Sequence, residues 1–286
     1  MAKIRKMEIH LLENKTFKAD GGALFSVVPK FMWERKYPTI TDNLCPVANR
    51  SLLIKTDERI YLFDCGIGSK LDEKAGKFHG ISGENTLESS LAQHNLAPED
   101  VTDVILTHLH FDHCGGVTKF NDQKEPIPTY PNARYWVSPE QWANYLNPNV
   151  READSYFPEN MMPIYERGML HFVTPETSFF PELSFFVANG HTTGLLIPIV
   201  KYQGKAIAFT GDLIPNTGNI PLKWLASYDI EPLKSLEEKA RFLEKAVEEN
   251  YVLTFQHDYY TECATLQNVD GRIKLNKKLK FRELFE

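Results

Sequence analysis

The decapeptide THLHFDHCGG, residues 107–116, places His108, His110, Asp112 and His113 within six positions, directly after the apolar run VTDVIL. Imidazoles and carboxylates enter a protein interior only when they are paired. A buried strand that ends in four of them must either turn out into solvent or converge on something. If the chain stays extended beyond the strand, His108 and His110 share one side and Leu109 takes the other. The turn that follows lets Asp112 and His113 face the same space from a second direction. Two adjacent divalent ions fit this arrangement, one for each pair. Neutral imidazole with carboxylate suits zinc, and also iron, manganese or cobalt.

Two protein ligands per ion are too few, so further ligands are expected at later strand ends. Three residues meet that condition. His191 in NGHTTG follows the apolar run 183–189, Asp212 in FTGD follows 205–211, and His257 in FQHD follows 251–255. His108, His110 and His191 then make one set and Asp112, His113 and His257 a second, with Asp212 between them. Asp64 in LFDCGIG also ends a strand. It either hydrogen-bonds a ligand histidine from behind or simply begins the glycine turn. His10, His79, His94 and His171 lack this context and read as surface or packing residues. Cys114 reads as a small buried hydrophobe.

The rest of the pattern supplies strands and helices in both halves. Strands are expected over 51–56, 60–64, 103–106, 183–189, 195–202, 205–211 and 251–255, with Gln203-Gly204 as a hairpin turn. Helices are expected over 85–96, with Leu87, Leu91 and Leu96 on one face, over 138–146, with Ser138 as N-cap and Pro139 at the first position, and over 160–170. The strongest helix, 235–250, carries a capping box at Ser235 and Glu238 and a buried stripe of Leu236, Ala240, Leu243 and Val247. Strands flanked by helices in both halves imply an α+β chain with two sheets covered by helices. No repeat or linker cuts the 286 residues, so a single domain is expected.

Composition narrows the function. A net charge of −6 argues against a nucleic-acid binder, which needs a basic face for phosphates. The N-terminal MAKIRKMEIHLLENK has no apolar core or cleavage site of a secretory signal, and no run is long enough to span a bilayer. Cys45, Cys65, Cys114 and Cys263 lack CxxC spacing, so neither a disulfide framework nor a thiolate zinc site is expected. The default reading is cytoplasmic, with no membrane and no nucleic-acid partner.

The motifs THLHFDHCGG, LFDCGIG, NGHTTG, FTGD and FQHD, in this order over residues 51–257, resemble the metallo-β-lactamase superfamily of metallohydrolases. The resemblance implies an αββα sandwich, with two mixed β-sheets packed face to face and helices on both outer faces, and two metals bound by the residues already named. DGGALFSVVPKFMWERKYP (20–38), GDLIPN and the stretch 222–246 are similar to the branch that holds methyl parathion hydrolase and quorum-quenching N-acyl-homoserine lactonases. Two positions depart from the pattern. The well-known lactonases have tyrosine three residues after the bridging aspartate, where this chain has Pro215. The family's GHTxGH motif ends here in Leu195, which is not a usual ligand position.

From such a site, a metal-bridging hydroxide attacking a carbonyl or phosphoryl centre is the expected chemistry. Asp212 bridges the ions, and Asp112 orients the hydroxide and passes a proton to the leaving group. The leading expectation is opening of lactone rings, N-acyl-homoserine lactones above all, with organophosphate triesters or aryl esters as alternatives. Segments 20–40 and 134–170 are the expected pocket and lid, with Phe25, Phe31, Trp33, Trp136, Trp142 and Tyr259 as wall residues and Tyr259 or Tyr260 as a source of a hydroxyl. Other superfamily activities fit less well. A β-lactamase usually has cysteine in place of Asp212, a tRNA nuclease wants a basic surface, and a diiron oxygen reductase has glutamate for the second histidine. A catalytically silent metal-binding module is the alternative from another class, and the complete ligand set weighs against it. A homodimer is the expected assembly by analogy alone.

Overall fold

A computed structural model describes residues 7–285 of the chain, so the first six residues of the N-terminal segment lie outside the described residues. By internal contacts the chain divides into two compact units, residues 1–15 with 49–175, and residues 16–48 with 176–286.

In the first unit, six strands form one mixed sheet in the order Met7–Glu13, Arg50–Thr56, Ile60–Phe63, Asp103–Ile105, Arg134–Val137 and Leu170–Phe172. The first three pair antiparallel, and from Ile60–Phe63 onward the neighbours run parallel. Phe63 pairs with Ile105 and Ile105 with Trp136, so three consecutive strands end on one edge. Asp64, the 107–116 motif and Ser138 therefore all leave the sheet at the same place. The interior of these strands is closed to solvent at Leu53, Leu62, Val104, Tyr135 and Val137, packed with Leu87, Leu91 and Leu96 from beyond the second strand pair. The alternation expected of a half-wet strand is absent because parallel strands are buried on both faces.

Two glycine-bearing loops close on each other at that edge. The amide of Gly116 donates to the Gly66 carbonyl at 2.9 Å and the Cys65 amide to the His113 carbonyl at 2.7 Å. A side-chain carbon at Gly115 would lie 2.1 Å from the Ile67 oxygen, and one at Gly116 would lie 2.1 Å from the Cys65 oxygen. Backbone cannot move aside as a flexible side chain can, so the motif keeps glycine at both positions for close approach. Gly116→Ala is expected to destabilise the first unit by about 1–3 kcal/mol, read as a lower urea midpoint with an unchanged slope.

The second unit holds the other six-stranded sheet, Leu183–Ala188, Leu195–Tyr202, Lys205–Phe209, Tyr251–Thr254, Cys263–Val269 and Arg272–Leu279 in spatial as well as chain order. Lys205–Phe209 and Tyr251–Thr254 are parallel, with Phe209 opposite Thr254, and Leu183–Ala188 runs in the same sense across the antiparallel Leu195–Tyr202. Ala188, Phe209 and Thr254 thus end on one edge. His191, Asp212 and His257 each follow one of them by three residues. Gln203 and Gly204 both take positive φ, as a two-residue hairpin of the favoured hand requires. The short pair Phe17–Asp20 and Leu44–Val47 forms a separate ribbon in this unit. Both units are α+β, as expected, and among the described residues no helix is long and apolar enough to cross a membrane.

The helix expected over 235–250 spans Pro232–Glu248 instead. Its start is set by Pro232, which is tolerated at the first turn because that N–H needs no partner. Ser235 and Glu238 consequently lie inside it and form no capping box. Glu238 is buried and its carboxylate accepts the amides of Asn189 at 2.8 Å and Gly190 at 2.9 Å. The buried face is Ser235, Glu238, Lys239, Phe242, Leu243 and Ala246, one step round from the expected stripe, because two charged residues turn inward to hold loops. Lys239 donates to the carbonyls of Pro221 and Trp224, and burial pushes its ammonium down to about 7. The helix expected over 160–170 spans Pro158–Glu166, with a proline at its first position and Pro163 inside. The helix expected over 85–96 is Leu87–Ala92, with Thr86 as its N-cap. Ser138 caps Pro139–Leu146, accepting from the Gln141 amide.

Candidate metal centre

In the first unit the 107–116 motif leaves Asp103–Ile105 extended and enters a short helix, Phe111–Cys114. The ring nitrogens of His108, His110 and His113 and the carboxylate of Asp112 are brought together there. Donor atoms of His108 and His110, of His108 and His113, and of Asp112 and His113 lie within 4.8 Å pairwise. His108 and His113 are fully buried.

The proton arrangement follows from what lies behind each ring. Asp64 accepts the Thr107 amide and the Thr107 hydroxyl, both at 2.7 Å, and faces His113 Nδ1 at 3.0 Å. A carboxylate only accepts, so His113 carries its proton on Nδ1 and its Nε2 lone pair points inward. The single hydroxyl proton of Thr107 goes to Asp64, so the Thr107 oxygen is an acceptor for His108 Nδ1, 3.1 Å away. His108 Nε2 is then a bare lone pair, 3.0 Å from His110 Nδ1. His110 in turn presents Nε2 to the Glu152 carboxylate at 3.1 Å, so in the neutral ring the Nδ1 lone pair faces His108. Two ring nitrogens at this distance share either a proton or a metal ion.

The second unit repeats this logic. Asp229 accepts from His191 Nδ1 at 3.1 Å and the Ala48 carbonyl from His257 Nδ1 at 2.9 Å. Both Nε2 atoms therefore face Asp212, at 3.3 Å from Oδ2 for His191 and 3.0 Å from Oδ1 for His257. The loops are fixed from behind. A side-chain carbon at Gly190 would meet the Ser235 backbone nitrogen at 2.2 Å, so helix Pro232–Glu248 presses directly on the turn that carries His191. Buried Asp258 accepts the amide and hydroxyl of Thr217 and the amides of Tyr260 and Thr261, tying together the chain beyond Asp212 and beyond His257.

The donor set fits divalent ions. Ligands about 2.0–2.1 Å from a tetrahedral ion are about 3.3 Å apart, and the facing pairs within each unit are spaced 3.0–3.7 Å. Each facing histidine has its outer nitrogen engaged by an oxygen atom, which fixes the tautomer and the ring plane. Asp64 has the outer position that the sequence left open. Glu152 and Asp229, which do the same, carry no sequence signal. Each lies in a polar segment that reads as a solvated loop.

The other named residues pack as follows. Phe25 and Trp33 are stacked with centroids 5.0 Å apart and closed into a core with Tyr37, while Phe31 is exposed. Tyr37 occupies the interior because its hydroxyl donates to the Pro46 carbonyl. Trp136 donates to buried Asp103 and packs on His171. Trp142 stacks on Tyr145, Tyr145 meets Tyr156, and Tyr156 meets His110 with centroids 5.2 Å apart. Tyr259 is half-exposed, and the Tyr260 hydroxyl donates to the Pro38 carbonyl. Pro215 is buried. Burial raises the Cys114 thiol to about 12, and its Sγ donates to the Leu109 carbonyl, so it is a packing residue. Lys70 is pushed down to about 8 by burial and donates to the carbonyls of Gly115 and Thr118, holding the glycine end of the motif.

The metallo-beta-lactamase superfamily model matches residues 46–254, which carry every ligand named above except His257. The chain belongs to that superfamily. Its fold is the metallo-β-lactamase fold, and the family is one of metal-dependent hydrolases. The N-acyl homoserine lactonase AiiB of Agrobacterium fabrum is 26% identical over 125 residues, 39% of this chain and 45% of the relative. The match thus spans less than half the length of that curated relative. A crystal structure described as a probable metal-dependent hydrolase from Staphylococcus aureus is 29% identical, with a TM-score of 0.85 over 97% of this chain and all of the other. AidC, a dizinc quorum-quenching lactonase in complex with a product, is 20% identical, with a TM-score of 0.78 over 98% of this chain and 97% of its own.

Proposed function

We propose that the two ligand sets act together, holding two divalent ions, zinc first among them, and that the chain hydrolyses lactones, with N-acyl-homoserine lactones as the leading class. His108, His110 and His191 would bind one ion, Asp112, His113 and His257 the other, and Asp212 both. The observation that carries this reading is the convergence of ring nitrogens and carboxylate oxygens in each unit, with each ring oriented by an acceptor behind it. Such an arrangement is costly unless cations neutralise it.

Bound divalent ions supply water acidic enough to lose a proton near neutral pH and a pull on the scissile carbonyl oxygen. The protein's own part is then limited and specific. Asp112, the most exposed of the inward groups, orients the attacking water, takes a proton and returns it to the departing alkoxide. Substrate choice falls to the 20–40 segment. Its buried Phe25, Trp33 and Tyr37 anchor it, and Val27, Phe31 and Met32 stand exposed. Tyr228 packs against the same aromatic cluster, and its ring also packs against His191. An acyl chain laid on that exposed apolar face is the feature a lactone with a tail would use. The similarity to lactonases supports the same choice. The segment 134–170 is the proposed second wall.

The test is a side-by-side kcat/KM series on zinc-loaded protein with acyl-homoserine lactones of increasing length, a simple γ-lactone and paraoxon. About a fourfold gain is expected for each methylene buried, until the face is filled. A phosphotriester preferred over every lactone overturns the substrate assignment. Bound metal without hydrolysis of any activated ester overturns the enzyme.

A further inference from the structure

Glu152 is 2% exposed and is the most heavily bonded carboxylate near the 107–116 motif. Its Oε1 faces His110 Nε2 at 3.1 Å and accepts the Tyr156 hydroxyl. Its Oε2 accepts the side-chain amides of Asn144 and Asn149, both at 2.9 Å. Asn144 extends from helix Pro139–Leu146, which starts at the same sheet edge as the motif. Gln141 on that helix accepts the Leu109 amide and donates to the Tyr156 hydroxyl. The helix and the loop after it thus grip the motif at its second histidine.

We propose that Glu152 is a positioning residue for His110: it holds the imidazole as the Nε2–H tautomer and so aims the Nδ1 lone pair at the metal. The inference rests on the proposed metal site and adds to it the group that sets one ligand's orientation. The other rings that face a partner are bonded behind at Nδ1 and present Nε2. His110 has the opposite arrangement, with Nδ1 facing His108 Nε2 at 3.0 Å. In a histidine side chain the Nδ1 lone pair is the less exposed of the two, since the chain attaches beside it. A fixed acceptor at Nε2 is what makes the inverted geometry stable. A glutamine cannot replace the carboxylate. With its amide nitrogen at the Oε2 position it would confront two amide donors, and with the nitrogen at the Oε1 position it would confront the imidazole N–H.

The first measurement uses the wild-type protein stripped of metal. Long-range ¹⁵N–¹H correlation of the histidine rings is expected to show His110 as the Nε2–H tautomer, and the Nδ1–H tautomer would overturn the proposal without any variant. The second compares zinc affinity, by chelator competition, in wild type and Glu152→Gln. A loss of roughly 10–100-fold is expected for one of two ions, with the other unchanged and the His110 ring signals shifted. A folded E152Q protein with wild-type affinity and unshifted His110 signals overturns the role. If E152Q does not fold, the wild-type tautomer decides. If wild-type protein binds no zinc, the proposed function fails, and the tautomer measurement on the metal-free protein separately decides the Glu152 contact.

Discussion

Replacing Asp112 by asparagine is expected to lower kcat by about 10²–10⁴-fold while the protein stays folded. The size follows from the proposed role. Asparagine keeps the shape and one oxygen, so the backbone of the short helix Phe111–Cys114 has no reason to move. The Asp112 carbonyl, which accepts the Asn49 side-chain amide at 2.8 Å, is untouched. What is lost is a negative charge beside His113 Nε2, 3.7 Å from Asp112 Oδ2, and the ability to carry a proton. A proton carrier acts on the chemical step, so kcat and kcat/KM should fall together. Zinc content should be measured on the same samples, since an amide is a weaker ligand than a carboxylate. Full activity in a folded, zinc-replete D112N protein removes Asp112 from the chemistry.

The elements that were legible in the sequence are those whose signal is local. The 107–116 motif, the strands that precede His191, Asp212 and His257, the Gln203-Gly204 turn and the Ser138 cap all show themselves within a few residues. The long hairpin Cys263–Val269 with Arg272–Leu279 does not. Its second strand reads RIKLNKKL, where Ile273 and Leu275 begin an alternation that the exposed polar run Asn276-Lys277-Lys278 interrupts. The helix Pro232–Glu248 was misphased for a related reason. Glu238 and Lys239 look like a solvated face, yet both are buried because they bond main-chain groups fifteen or more residues away. Glu152 and Asp229 share that property. A carboxylate that serves a histidine 42 or 38 residues distant in the chain leaves no pattern around itself. Asp64 was partly legible because it ends a strand parallel to the one before the motif, and parallel neighbours end together.

That position makes Asp64→Ala the substitution with the largest expected effect on stability. Asp64 is fully buried, and alanine would leave the Thr107 amide, the Thr107 hydroxyl and the His113 Nδ1–H without their acceptor. Removing one partner from a buried charged network costs about 3–5 kcal/mol, a large share of the roughly 5–15 kcal/mol that holds a typical domain. The backbone adds to this. Asp64 has a φ of 58°, a conformation that aspartate and asparagine adopt more readily than alanine. Comparing D64A, D64N and D64G separates these causes. Asparagine keeps the backbone preference and glycine relieves the strain, but only a carboxylate satisfies all three donors. Urea unfolding of the metal-free proteins should therefore rank wild type well above D64N, with D64A lowest and D64G close to it. D64A as stable as wild type would mean that the three donors find other partners. Metal affinity adds an independent reading. Without Asp64 the Thr107 hydroxyl is released to bond His108 Nδ1, which moves the His108 proton to Nε2 and blocks the lone pair that faces His110. One substitution behind His113 is thus expected to weaken binding through His108 as well, so D64N should lose more zinc affinity than the loss of the His113 contact alone would give.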